Sequence, residues 1–107
     1  MLRISKISDD DVLPLCMALK RNPYVTSIEI CGGLADTGAI HLAEVLKMNT
    51  NIVDVDLVNC GIKVFGAQAL AEWLKKSYTA RAFSLAGCEI RDQGATHVAN
   101  ALKQNKV

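Results

Sequence analysis

The chain has few aromatic residues, almost no excess charge and no long apolar run. Two tyrosines, two phenylalanines and one tryptophan are the only aromatics among 107 residues, so any core must be aliphatic. Twelve basic residues against eleven acidic ones give a net charge of +1. This balance leaves no polybasic surface for nucleic acid or anionic lipid. No apolar run approaches the roughly 20 residues that a membrane-spanning helix needs. We therefore expect neither nucleic acid nor membrane as a partner.

Cysteine is also sparse. The four cysteines lie too far apart for the disulfide framework of a small secreted protein, and their spacing matches no zinc signature; they are Cys16, Cys31, Cys60 and Cys88. The first residues, "MLRISKISDDD", lack the apolar stretch of a signal peptide. These observations predict reduced thiols, a cytoplasmic location, and no metal or cofactor. A length of 107 residues predicts a single domain over residues 1–107, and a hydrophobic content of 50% excludes disorder.

What the chain does contain is a repeat. "GAIHLAEVLKMNT" begins at Gly38, "GAQALAEWLKKSY" at Gly66 and "GATHVANALKQNK" at Gly94, each 28 residues after the last. "DVLPLCMALKRNP", from Asp11, fits the same pattern with a period of 27. About 3.5 repeats of 27–28 residues therefore cover nearly the whole chain. A period of this length is typical of solenoids, in which stacked units share one core.

Each repeat combines a short strand with a helix. Alternation of apolar and polar residues from Val53 to Leu57 indicates a strand with one buried face. Apolar residues at i, i+3, i+4 and i+7 from Ala39 to Leu46 indicate an amphipathic helix. Extended to every repeat, the patterns predict strands near 26–30, 53–57 and 81–85, and helices near 11–21, 37–48, 65–76 and 93–104.

The helix ends carry polar residues with predicted capping roles. Asp36 and Asp92 stand where an N-cap oxygen would accept from free backbone N–H groups. Asn49 and Asn105 stand where a left-handed residue would end the helix.

The pattern LxxLxLxxCxI followed by GaxxLaxxLkxN resembles the ribonuclease-inhibitor-type leucine-rich repeat, which also occurs in NOD-like receptors and in Ran GTPase-activating protein. The resemblance implies an α/β leucine-rich repeat solenoid, a horseshoe segment with a parallel sheet on its concave side and helices on its convex side. Such solenoids serve many functions, so the resemblance predicts the fold more specifically than the activity.

No catalytic or metal constellation follows from the repeat. Cys60 and Cys88 occupy one repeat position, and an inward thiol that meets loop carbonyls is favoured over a metal or redox pair. His41 and His97 lie two repeats apart, which separates them by roughly 10 Å or more and argues against a shared metal. We therefore predict that the protein is not an enzyme.

Trp73 fills a repeat position that is otherwise small. Its counterparts are Ala18, Val45 and Ala101. We favour packing between helices for the indole, with a possible protein-binding anchor on the convex side as the alternative.

The outward strand positions predict a concave, protein-binding face. Glu29, Asp56 and Ser84 align across the strands, with Asp54 beside them and Arg81 at the edge. Glu29 opposite Asp56 places like charges together, which costs stability and hints at a use. An ordinary solvated face is the alternative. The other outward positions are Thr26, Ser27, Cys31, Val53, Val58, Ala82 and Ala86.

The first and last repeats are predicted to leave the two edges of the sheet uncovered. Leu2 is aligned with Leu57, so strands 25–31 and 80–86 would be the edges. We expect either a fragment or a chain that self-associates or binds neighbouring repeats there.

A non-enzymatic protein-interaction module or scaffold is the leading functional prediction. A small-GTPase regulator, resembling Ran GTPase-activating protein, is one alternative; Asn59 is its only near match. An actin-capping module is another, because "ALAEWLKKS" and "LAEVLKMNT" are similar to tropomodulin repeats.

Overall fold

Strands and helices alternate along the part of the chain that the structure describes. The computed structural model describes residues 2–77, 80–85, 87–88 and 91–104. The elements are β1 (Leu2–Ile4), α1 (Asp9–Arg21), β2 (Ser27–Cys31), α2 (Ala35–Met48), β3 (Asp54–Val58), α3 (Val64–Lys76), β4 (Ala82–Ser84) and α4 (Arg91–Gln104). The predicted strands and helices are confirmed to within two residues at every end. Ala86 and Asn105 lie outside the described residues.

The strands form one parallel sheet in the order β1-β2-β3-β4. Helices α1, α2 and α3 each connect one strand to the next, which is the connection that parallel neighbours require. The helices pack in the same sequential order, α1 on α2, α2 on α3 and α3 on α4. This arrangement confirms the α/β, leucine-rich-repeat-like solenoid. Among the described residues, no helix is long and apolar enough to cross a membrane.

The core lies between the sheet and the helices. In β2 and β3, buried residues alternate with half-buried ones. Ile30, Leu57 and Leu70 have 0% exposure. Burying aliphatic side chains is worth about 25 cal/mol per Å² of apolar surface. Because a strand and a helix each bury one face only, the repeats share a single core instead of forming separate ones.

The predicted alignment of the first strand is wrong by two residues. Leu2 pairs with Ile28, and Ile28 pairs with Val55 rather than Leu57. The number of residues along the sequence between paired positions decreases toward the N-terminus, from 28 at β3–β4 to 26 at β1–β2. A slip of two residues keeps every side chain on the same face, so the apolar pattern could not detect it. The edges of the sheet among the described residues are therefore β1 and β4, not 25–31.

Asp36 caps the next repeat's helix instead of its own. Helix α2 begins at Ala35, so Asp36 lies in its first turn. The Asp36 Oδ1 atom accepts from the backbone N–H of Lys63 at 2.6 Å, directly before α3. Asp92 also lies in the first turn of its helix. The N-cap prediction is wrong for both residues, because each helix begins one residue before its aspartate.

Asn49 links two repeats and does not adopt a left-handed conformation. Its backbone is extended, with φ −102° and ψ 105°. The side chain is buried, and its Nδ2 donates to the carbonyls of Leu19 at 2.7 Å and Asn22 at 3.1 Å. Its Oδ1 accepts from the backbone N–H of Asn51 at 2.8 Å. The prediction is corrected because the amide satisfies buried backbone groups of the preceding repeat, which an exposed cap would not do.

Candidate protein-interaction surface

One side of the sheet faces away from the helices. We call it the open face; its side chains alternate with the buried ones along each strand. It comprises Arg3, Ser27, Glu29, Cys31, Asp54, Asp56, Val58, Ala82 and Ser84. The structure therefore places four of the predicted surface residues, Glu29, Asp54, Asp56 and Ser84, on one face.

Register brings like charges together on the open face. Glu29 is the Cα partner of Asp56, and Asp56 is the partner of Ser84. Asp54 pairs with Ser27 on one side and with Ala82 on the other. Three carboxylates therefore occupy adjacent strands. Like charges directly opposite each other destabilise a sheet. A favourable cross-strand pair contributes roughly 0.2–1 kcal/mol, and the cost of a like-charged pair is of similar size.

Two of these three carboxylates have partners within the sheet. Arg3 Nε donates to Glu29 Oε2 at 2.7 Å, and the Glu29 side chain is only 19% exposed. Ser27 Oγ donates to Asp54 Oδ2 at 3.0 Å. Asp56 makes no side-chain hydrogen bond or ion pair within the part of the chain that the structure describes. Asp56 is therefore the carboxylate that a partner could engage without displacing an existing contact.

Arg3 is the open-face residue that sequence reasoning missed. The misplaced register put Arg3 level with the residue after Leu57, away from Glu29. The correct register makes Arg3 the Cα partner of Glu29. Arg81, the predicted basic edge, lies exposed directly before β4 and forms no ion pair with any described residue. The cation that balances this face is therefore Arg3.

Cys31 joins the open face beside Glu29. Its Sγ donates to Glu29 Oε1 at 3.7 Å. Desolvation raises the pKa of the Cys31 thiol, and the Glu29 carboxylate raises this pKa further. A raised pKa keeps the thiol protonated and poorly nucleophilic. Cys31 is therefore suited to donating a hydrogen bond to Glu29 rather than to covalent chemistry.

The other cysteines have structural positions. Cys60 Sγ donates to the carbonyl of Ile30 at 3.2 Å, and Cys88 Sγ donates to the carbonyl of Leu57 at 3.5 Å. Each thiol thus satisfies a carbonyl on the preceding strand. Cys16 is buried on α1, and all four cysteines are free. Burial raises the pKa of both Cys16 and Cys60. These contacts confirm the structural interpretation of the inward thiols.

Trp73 packs inside the molecule. It is 3% exposed and meets Phe83 edge to face, with ring centroids 5.9 Å apart and planes at 64°. The favoured packing interpretation fits this geometry. The alternative of Trp73 as a protein-binding anchor is wrong, because the helices and β4 already cover the indole that a partner would contact.

Asn59 adopts the backbone conformation that its position requires. Its φ is 50°, and Gly32 (φ 111°) and Gly87 (φ 72°) are left-handed at the matching positions of the neighbouring repeats. Asparagine tolerates this region better than most non-glycine residues. The residue type of Asn59 therefore has a conformational reason, and it offers no support for a GTPase-regulating role.

The two histidines lie apart. His41 is on α2 and His97 on α4, with α3 between them. Among the described residues, no three metal-ligating side chains come together.

Comparison with known proteins supports the fold. No family model matches the sequence, and no curated protein matches it. The structure is similar to the solved structure of leiomodin-1 actin-binding site 2, with a TM-score of 0.80 and 20% sequence identity. The similarity covers 94% of this chain but 65% of that one, so the chain spans less than two thirds of its length. At this identity the similarity establishes the leucine-rich-repeat-like fold alone.

Proposed function

We propose that this chain is a non-enzymatic protein-binding module that holds its partner against the open face of the sheet. The observation that carries the proposal is the row Arg3–Glu29–Asp56–Ser84, with Asp54 beside it. The like charges of Glu29 and Asp56, in register on adjacent strands, oppose folding. A partner that brings cations to this face would remove that cost on binding.

The same proposal includes a finer assignment of the repeats. The 28-residue period and the inward Cys60 and Cys88 support the ribonuclease-inhibitor type. The four free thiols support a reducing, cytoplasmic location. Association through the ends of the array stays a prediction, with β1 in place of strand 25–31 as the N-terminal edge.

Actin is the second, narrower candidate. It is supported by the likeness to leiomodin-1 actin-binding site 2 over 94% of the chain and by the similarity to tropomodulin repeats noted in the sequence. Actin would then be the protein that meets the open face.

The test compares the wild type with Asp54→Asn/Asp56→Asn. Asparagine keeps the shape and an acceptor oxygen for Ser27, so this variant removes two charges while preserving the sheet. Asp10→Asn/Glu72→Gln is the matched control, since it removes two exposed charges from α1 and α3. Binding to monomeric and filamentous actin is measured by fluorescence anisotropy and co-sedimentation.

The expected result is binding that Asp54→Asn/Asp56→Asn weakens by about tenfold or more and the control leaves unchanged. No actin binding by the folded wild type would refute the actin candidate. The broader proposal is then tested on proteins captured by the wild type and identified by mass spectrometry. If every captured protein binds the open-face variant as tightly as the wild type, the open face is not the binding surface.

A further inference from the structure

A groove on the helical side, opposite the open face, exposes apolar side chains. It lies between α1 and α2 and has a volume of about 180 Å³. Leu13, Met17 and Met48 line its walls, and they are 54%, 67% and 63% exposed. Cys16 and Val45 form the buried floor. Methionine adapts readily to a partner's shape and is over-used on binding surfaces.

The repeat does not require these apolar walls. Leu13 and Met17 correspond in α3 to Gln68 and Glu72, which are exposed and polar. A groove between α3 and α4, which lies nearer the N-termini of its helices, is lined mainly by polar residues, namely Gln68, Asp92, Gln93, Thr96 and His97, together with Val64 and Phe65. The apolar surface between α1 and α2 is therefore a local departure from the pattern.

The groove carries one positive and one negative side chain, on opposite walls. Lys20 lies on the α1 wall and Glu44 on the α2 wall. Glu44 has one weak partner in its own chain, Lys47 at 3.4 Å, and its side chain stays 68% exposed. A surface with one cation and one anion on opposite walls can face a copy of itself, because a two-fold axis pairs each cation with the other copy's anion.

We propose that the occupant of this groove is a second copy of the chain, docked about a two-fold axis that pairs Lys20 of each copy with Glu44 of the other. Met17 and Met48 supply the apolar centre between these two pairs. The exposed apolar area is smaller than the roughly 800 Å² per partner of a standard interface, so the dimer is weak. Both open faces stay uncovered, so a dimer would bind a multivalent partner with higher avidity than a single chain.

The experiment measures the mass of the 107-residue chain by sedimentation equilibrium from about 10 µM to 1 mM, the range in which a weak dimer dissociates. Lys20→Glu and Glu44→Lys each place like charges opposite one another, whereas the double variant Lys20→Glu/Glu44→Lys restores both pairs with reversed polarity. Lys75→Glu and Glu72→Lys are the matched controls, because they occupy the same repeat positions on α3, away from the groove. Circular dichroism confirms that every variant is folded.

We expect a monomer–dimer equilibrium that each single groove variant weakens by about tenfold or more and the double variant restores to within about threefold. The α3 controls leave the equilibrium unchanged. Leu13→Gln/Met17→Gln, which places polar side chains on the α1 wall, also yields a folded monomer. A monomer throughout the range, assemblies that keep growing beyond a dimer, or a dimer that Lys20→Glu does not weaken would each overturn the proposal. So would failure of the double variant to recover.

Discussion

Leu70→Ala tests how the core depends on neighbouring repeats. Leu70 lies in α3, has 0% exposure, and α3 packs against both α2 and α4. With a helix on each side and the sheet beneath, the surroundings have little freedom to collapse into the space left by the side chain. We expect a loss of about 3–5 kcal/mol, the upper part of the range for buried leucine. A domain of this size is stable by only about 5–15 kcal/mol, so a large share of its stability would be lost.

The assay uses the single tryptophan of the chain. Trp73 is buried at 3% exposure, so its fluorescence will change on unfolding in urea. Val98→Ala is an informative comparison, because Val98 holds the matching position on α4 but is only partly buried. Its loss should be about half that of Leu70→Ala or less. Gln68→Ala, at an exposed position of α3, serves as the control. A loss below roughly 0.5 kcal/mol for Leu70→Ala would show that Leu70 does not fill the core between α2 and α4.

Three further predictions follow from named contacts. Titration of the denatured, unreduced protein should find four thiols, and fewer would contradict the free cysteines. Asn49→Ala leaves the carbonyls of Leu19 and Asn22 without their buried donor and should cost about 1–3 kcal/mol in urea unfolding; a neutral effect would show that water replaces the amide. Alkylation of Cys31 should show a pH midpoint above that of an ordinary thiol, because its pKa is raised, and Glu29→Gln should lower the midpoint. An unchanged midpoint in that variant would exclude the influence of the Glu29 charge.

The repeat allowed most of the fold to be predicted. A 28-residue period constrains every strand and helix at once, because an error in one repeat would contradict the others. The position of Leu2 escaped this constraint, since a two-residue slip preserves the face of every side chain. Glu29, Asp54 and Asp56 could be assigned to one face from alternation alone. Their partner Arg3 could not, because the charge pairing depends on the register of β1, and the spacing of repeats shortens toward that strand.

The polar side chains between repeats were predicted least well, and for a common reason. Asp36 and Asn49 were assigned to their own helices, as local capping rules suggest. In the structure Asp36 accepts from Lys63 in the following repeat, and Asn49 donates to Leu19 in the preceding one. A single helix contains no information about such partners. They become visible only when two repeats are placed side by side.

Because of these contacts, the stability of each repeat depends on the repeats next to it. Removing the first strand and helix would leave the buried amide of Asn49 without its acceptors, and removing β2 and α2 would leave the Lys63 N–H without the Asp36 carboxylate. The cost of losing one repeat therefore falls partly on the repeat that remains. Such a chain resists fraying from its ends and unfolds over several repeats together. Whole repeats could be duplicated with their couplings intact, whereas a cut inside a junction would leave buried polar groups on both sides.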